Sequence, residues 1–227
     1  MTQPANHIRV NDIFMGSLER PALRWLAAHS PAWITPDFYT VVGLAGSLVT
    51  LLGYVLSRTN TGFFWLASLG LVFNWYGDSL DGTLARYRHI ERPVYGYFVD
   101  HALDLISQVL ILIGLGLSPY ISFDLTCFAL IAFLAMSALV FLRTYVVGEF
   151  KISYAKLGPT EARLLAILFN TAMFIFGPRS WAIQVGTLGK IAINPYNLVV
   201  GVVAFLLGYF FILTAFQESI RLARENR

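Results

Sequence analysis

The sequence predicts an all-α membrane protein in which six transmembrane helices follow an N-terminal interfacial amphipathic helix. Three observations lead there. Of the 227 residues, 57% are hydrophobic and only 13% charged, whereas a soluble domain carries about a quarter charged residues. Too little polar surface is left to coat a water-soluble body. The 18 Phe, 11 Tyr and 5 Trp suit a chain whose amphipathic rings collect where lipid meets water. Finally, six stretches are apolar for about the 20 residues that a helix needs to cross the hydrocarbon.

The elements follow in chain order. Residues 1–36 form an interfacial and juxtamembrane segment, in which Ile13, Phe14, Leu18, Leu23, Trp25 and Leu26 mix with Asp12, Glu19, Arg20 and Arg24. That mixture predicts a helix lying in the membrane surface, and Pro21 predicts a break in it. The first residues, MTQPANHIRVNDIF, lack the basic-then-apolar order of a cleavable signal and are expected to remain in the mature protein. Residues 37–227 read as one six-helix domain, with spans at roughly 37–57, 62–86, 95–118, 121–147, 161–178 and 197–217. There is no internal repeat and no low-complexity tract to suggest another domain.

Orientation follows from the basic residues. If the N-terminus is cytoplasmic, the opposite side receives only Arg58, Arg179 and Lys190 of the 16 Lys and Arg. The other thirteen lie on the cytoplasmic side, which predicts that both termini are cytoplasmic. A net charge of +3 without a dense basic cluster argues against a nucleic-acid partner. The lone Cys127 cannot close an internal disulfide and reads as a small buried hydrophobe.

The chemistry is carried by carboxylates. An Asp at the bilayer centre costs about 2.5 to 3.5 kcal/mol on insertion scales, so acids in spanning helices are functional by default. Here Asp78 and Asp81 fall late in the second span, and Asp100 and Asp104 early in the third. At 100° per residue, Asp78, Asp81, Gly82 and Ala85 share an arc of about 100°, while Asp100 and Asp104 are one turn apart. A short connection, residues 87–94, predicts antiparallel neighbouring helices with facing acidic patches. Oxygen-only ligation favours Mg2+, Mn2+ or Ca2+ over zinc, and four carboxylates suit two ions. Something positive must share the space. Gly82 and Ala85 remove bulk on the acidic face and Arg86 adds a cation one turn beyond Gly82. Together these suit a planar base joined to a diphosphate, since guanidinium and metal both match phosphate oxygens.

The string GDSLDGTLARYRHIERPVYGYFVDHALD resembles the signature of the CDP-alcohol phosphotransferase family, D-x-x-D-G-x-x-A-R followed after nine residues by G-x-x-x-D-x-x-x-D. The fixed positions are Asp78, Asp81, Gly82, Ala85, Arg86, Gly96, Asp100 and Asp104. The resemblance implies that Asp78, Asp81 and Asp100 bind metal, and that Asp104 is the general base and contributes to the metal site. It further implies that Gly82, Ala85 and Arg86 hold the cytidine and diphosphate. A second stretch, Ile34-Thr35-Pro36-Asp37-Phe38-Tyr39-Thr40, is similar to the family's T-P-[ND]-x-x-T and implies CDP contacts for Asp37 and Thr40. The implied reaction moves a phosphoalcohol group from a CDP-alcohol to an acceptor hydroxyl in phospholipid synthesis, with Mg2+ or Mn2+, release of CMP, and a homodimeric enzyme.

Two features point to different acceptors. Arg143, Lys151, Lys156 and Arg163 suit a phosphorylated acceptor, as in the inositol-phosphate branch of the family. Asp100-His101 and Gly158-Pro159-Thr160-Glu161-Ala162 look more like the choline and ethanolamine branch, whose acceptor is diacylglycerol. His7, His29 and His89 read as surface bystanders. Two other classes remain open: an intramembrane prenyltransferase with a Mg2+-bound prenyl diphosphate, to which Asn74, Asp78 and the Asp100/Asp104 pair are superficially suited, and an ion or proton transporter. The transporter class places its sites at the midplane between half-repeats, and here all four acids cluster at one end of their helices.

Overall fold

The structure is a computed structural model that describes residues 8–10, 15–147, 149–151, 158–184 and 190–225. Seven helices are found among the described residues: α1 (Gly16–Ala28), α2 (Pro36–Leu56), α3 (Phe63–Tyr87), α4 (Pro93–Gly116), α5 (Phe123–Val147), α6 (Pro159–Phe176) and α7 (Pro195–Glu225). Two short strand pairs lie outside the helices. β1 (Ile8–Val10) runs parallel to β2 (Glu149–Lys151), and β3 (Trp181–Gln184) is antiparallel to β4 (Lys190–Ile193).

Helix ends obey local chemistry. Thr35 caps α2 by accepting from the Phe38 amide at 3.3 Å, with Pro36 at the first helical position, where its missing N–H costs nothing. Pro93 and Pro159 open α4 and α6 in the same way. In α6 the Glu161 carboxylate reaches back to accept from the Gly158 amide at 3.0 Å. α7 runs about two turns beyond its apolar stretch, where Arg221 pairs with Glu218 at 2.9 Å, one turn apart.

α2, α4, α5, α6 and α7 are the five described helices long and apolar enough to cross a membrane. The sixth expected span, α3, has 25 residues and therefore ample length, about 37 Å. It lacks a sufficiently apolar window because Asn74, Asp78 and Asp81 occupy its second half. The chain is thus a helical integral membrane protein, and the large apolar surface it exposes is lipid-facing by the same reasoning. On α7, Phe205, Ile212 and Phe216 are each about two-thirds exposed, at 71%, 68% and 63%.

α2 and α3 are the closest pair in the fold, and they meet backbone to backbone. A Cβ on Gly77 would sit 2.2 Å from the Gly43 nitrogen, one on Gly46 would sit 2.4 Å from the Asn74 nitrogen, and one on Gly53 the same distance from the Ala67 nitrogen. Two apolar clusters hold opposite ends of this pair. Leu23, Ala27 and Ile34 from the α1 region pack with Tyr39, Leu80 and Leu84 at one end. At the other, Tyr54, Phe64 and Ala67 pack with Leu115, Met173, Tyr196 and their neighbours.

One expectation needs correction, and two gain detail. α1 continues through Pro21 without a break; so near the helix start, the proline sacrifices a single backbone bond. The expected amphipathic helix is present as α1, and it is also anchored to its neighbours. It docks on α3, with its Glu19 carboxylate accepting from Trp75 Nε1 at 2.8 Å and Ser79 Oγ at 3.3 Å, and from Thr160 Oγ1 on α6 at 2.9 Å. Residues Asp12, Ile13 and Phe14 of the expected amphipathic stretch lie outside the described residues, as does the side chain of Leu18. Finally, α3 and α4 face each other with their acidic stripes, as expected, but meet through side chains such as Asn74 Nδ2 and Ser107 Oγ at 3.5 Å. α2 packs against both, while α3 and α4 approach only sparsely, leaving a gap between them.

Candidate metal and substrate site

That gap is lined by α2, α3 and α4. Thr40, Gly43 and Leu44 come from α2, Asn74, Asp78 and Asp81 from α3, and Asp100, Leu103, Asp104 and Ser107 from α4. The helical period explains the convergence: Asn74, Asp78 and Asp81 recur at four and three residues, as do Asp100, Asp104 and Ser107, so each set forms one stripe. Gly43 contributes no side chain, which keeps the α2 wall flat. The cavity holds about 20 Å³, room for ions or a water rather than for a nucleotide.

Asp78, Asp100 and Asp104 each bring a carboxylate oxygen to within 4.8 Å of the others, forming a cluster that could hold a metal ion. Asp81 stands slightly apart, accepting from Thr40 Oγ1 at 2.9 Å. The donor set is entirely oxygen, which fits a hard divalent cation and fits zinc poorly. All four predicted acids therefore border one cavity, three as a tight group and the fourth oriented by a hydroxyl.

The positive partner comes from a residue that sequence reasoning assigned elsewhere. Arg163, on the second turn of α6, places a guanidinium nitrogen 2.9 Å from Asp78 Oδ2 and donates from Nε to Asn74 Oδ1 at 2.7 Å. Asn74 in turn donates to the Gly43 carbonyl at 3.0 Å and to Ser47 Oγ at 2.9 Å. An Arg–Asp–Asn network thus backs the acid cluster. Nothing in local spacing links positions 74 and 163; the only available signal was that four acids require a cation.

The other expected ligand contacts divide. Thr40 lines the cavity, but Asp37 does not: its carboxylate pairs with Arg92 at the surface, and Arg92 also lies 4.2 Å from the centre of the Tyr95 ring. Gly82, Ala85 and Arg86 continue α3 beyond Asp81 without lining the cavity. The Arg86 guanidinium lies over Gly82, where a Cβ would be 3.2 Å from its Nη1. Among the basic residues considered for an acceptor, Arg143 is paired with Glu218 at 2.7 Å. The Lys151 side chain and Lys156 lie outside the described residues, as does His7. His101 stacks on Tyr97, with ring centres 4.2 Å apart, and its Nδ1 is 3.7 Å from Asp100.

The fold and the site define a helical membrane protein with an all-oxygen carboxylate cluster that could hold a metal ion, and acids in such a setting are functional by default. More specifically, the chain belongs to the CDP-alcohol phosphatidyltransferase family, whose model matches residues 33–213. It is 27% identical over 208 residues to cholinephosphotransferase 1 of Homo sapiens, covering 86% of this chain and 50% of that one. The corresponding Mus musculus protein is 30% identical over 213 residues, 86% of this chain and 52% of its own. An uncharacterized class-I family protein from Dictyostelium discoideum is 30% identical over 175 residues, covering 72% of this chain and 41% of its own. The chain therefore spans about half the length of the curated relatives it matches.

Proposed function

We propose that this protein transfers a phosphoalcohol group from a CDP-alcohol to an acceptor hydroxyl, releasing CMP, in phospholipid synthesis. The observation that carries this reading is the convergence of Asp78, Asp100 and Asp104 on one small cavity, with Asp81 at its edge. Family membership supports it. The domain boundary near residue 36 is kept as part of the proposal, with the six-span unit including α3.

Asp78, Asp81, Asp100 and Asp104 would hold divalent cations, Mg2+ or Mn2+ and two in number, which neutralise the diphosphate and the departing CMP. The cavity is too small for the nucleotide, so CDP lies at its mouth. There Gly82 and Ala85 leave space for the flat ring, Arg86 offers a guanidinium to the phosphates, and Thr40 and Asp37 bound the α2 side. Asp104 accepts the proton of the acceptor hydroxyl, whose oxygen then attacks the phosphorus. Both termini and the site are assigned to the cytoplasmic side, on the distribution of basic residues. Association into a homodimer is proposed from family resemblance alone.

For the substrates we propose a CDP-linked small amino alcohol as donor and a diacylglycerol-type lipid alcohol as acceptor. The names of the relatives support this choice. So does the pairing of Arg143 with Glu218, which disfavours a seat for a phosphorylated acceptor there. The test is CMP release by the purified protein with Mg2+, across CDP-choline, CDP-ethanolamine and CDP-diacylglycerol, each with lipid and polar acceptors. Release with a CDP-amino alcohol and diacylglycerol is expected. Release only from CDP-diacylglycerol with a polar acceptor overturns the substrate assignment, and release from none overturns the reaction.

A further inference from the structure

Arg163 places a guanidinium beside the acid cavity, and its geometry is that of a built contact. Its side chain is 13% exposed and that of Asp78 22%, so the pair is held mostly away from water. One edge of the guanidinium is fixed on Asn74, itself tied to the α2 backbone through Gly43. α6 is tied down in the turn before this point. Thr160 reaches Glu19, and Glu161 accepts from the Met15 amide at 2.9 Å. The guanidinium is therefore delivered to the cavity by an arrangement that involves α1, α2, α3 and α6.

We infer that Arg163 is a resident counter-cation of the carboxylate cavity, which competes with divalent metal for Asp78 and is displaced when metal binds. The inference rests on the proposed role of the carboxylates as metal ligands. Three carboxylate oxygens within 4.8 Å of one another repel strongly in a medium of low dielectric. In the absence of metal, a cation at 2.9 Å from Asp78 relieves that repulsion. Once a divalent ion enters, the same guanidinium repels it, whichever oxygen Asp78 turns inward. Arg163 thus keeps the cavity folded without metal, at the expense of metal affinity. On release, its planar fork becomes available to a phosphate oxygen, the geometry guanidinium matches. It is a positioning residue in the metal-free protein, and metal binding is what changes its partner.

The test measures metal binding rather than turnover. Mn2+ affinity of the purified protein in detergent is followed by the loss of free-Mn2+ paramagnetic resonance, for the parent, Arg163→Gln and Arg163→Lys. Gln removes the charge while keeping a polar group beside Asn74, and Mn2+ should bind about tenfold tighter or more. Lys keeps the charge and should stay within about threefold of the parent. Equal or weaker binding in Arg163→Gln, or equal tightening by Lys and Gln, overturns the inference. Absence of Mn2+ binding in the parent instead defeats the metal reading on which it rests. Should Arg163→Gln not fold, the parent supplies the readout. The Arg163 Nε–H resonance, identified by its loss in Arg163→Lys, should move on saturation with Mg2+. A resonance that stays in place overturns the inference equally.

Discussion

Thr40 Oγ1 on α2 donates to Asp81 Oδ2 on α3 at 2.9 Å, and this bond holds Asp81 slightly apart from the three acids that cluster at the cavity. It joins two sequence signals 41 residues apart, one from the start of the first span and one from the acidic motif. A hydrogen bond to an ionised acceptor contributes about 1.5 to 3 kcal/mol. The other Asp81 oxygen accepts from the Gly82 amide, so both carboxylate oxygens are oriented.

Thr40→Val should therefore lower kcat/KM by about tenfold to a hundredfold, and raise the Mg2+ concentration needed for half-maximal rate. Thr40→Ser retains the hydroxyl and should recover most of the activity. Titrating Mg2+ in a CMP-release assay of the three proteins reads both effects. An unchanged Mg2+ dependence in Thr40→Val would separate Asp81 from the metal.

Asp37 provides a contrasting case, since it shares the Thr35-to-Thr40 stretch but faces the surface and pairs with Arg92. An exposed pair of this kind contributes about 0 to 1 kcal/mol to stability. Asp37→Ala should leave the melting temperature within a few degrees of the parent, and any effect should appear in the KM for the CDP-alcohol. Steady-state kinetics with varied donor decides it: an unchanged KM removes Asp37 from the nucleotide contacts.

Much of the site was legible because its information is local. The acids repeat at three and four residues along α3 and α4, and that period alone fixes which side of each helix they share. Thr35-Pro36 announced the start of α2, and the long apolar runs marked five of the spans. What remained hidden depends on packing between distant segments. The α2 glycines set how closely α3 approaches, so α2 joins α3 and α4 as a third wall of the cavity. Arg163 lies 89 residues from Asn74 and no period connects them. Glu19 read as the polar face of a surface helix, yet it points inward, because Trp75, Ser79 and Thr160 each supply a hydroxyl or indole donor there.

Glu19 is consequently open to a direct stability test. Glu19→Ala leaves Trp75 Nε1, Ser79 Oγ and Thr160 Oγ1 without the acceptor they share. Each partly buried donor left unsatisfied costs about 1 to 3 kcal/mol. The melting temperature in detergent should fall by several degrees, and Glu19→Gln, which retains one carbonyl oxygen, should lose less. Equal melting temperatures in parent and Glu19→Ala would mean that α1 does not brace α3 and α6.

Gly77 tests the α2–α3 contact beside the site. A Cβ there would stand 2.2 Å from the Gly43 nitrogen and 2.4 Å from the Tyr39 carbonyl oxygen, both backbone atoms that no rotamer change can move aside. Gly77→Ala should force the helices apart, at a cost of about 1 to 3 kcal/mol or more, and shift the adjacent Asp78. Gly96→Ala is the control, since nothing lies within 4 Å of a Cβ at that position. Comparing folded yield and melting temperature of the two variants checks the argument. Similar behaviour would contradict a backbone contact at Gly77.

Asp104 carries the sharpest chemical prediction, because the proposal gives it two duties that substitution can separate. Asp104→Asn keeps the shape and one oxygen, but its amide cannot accept the acceptor's proton. Loss of a positioned base lowers rates by about a hundredfold to ten-thousandfold, and here kcat should fall by that factor while CDP-alcohol binding stays close to the parent's. Asp78→Asn should behave differently: it weakens a metal ligand and the partner of Arg163, so metal affinity should change together with rate. Donor affinity measured by calorimetry and CMP release, on the same preparations, distinguish the two. If Asp104→Asn turns over at the parent's rate, the base lies elsewhere. If it loses donor binding as completely as Asp78→Asn, Asp104 acts as a ligand and the proton is accepted by another group.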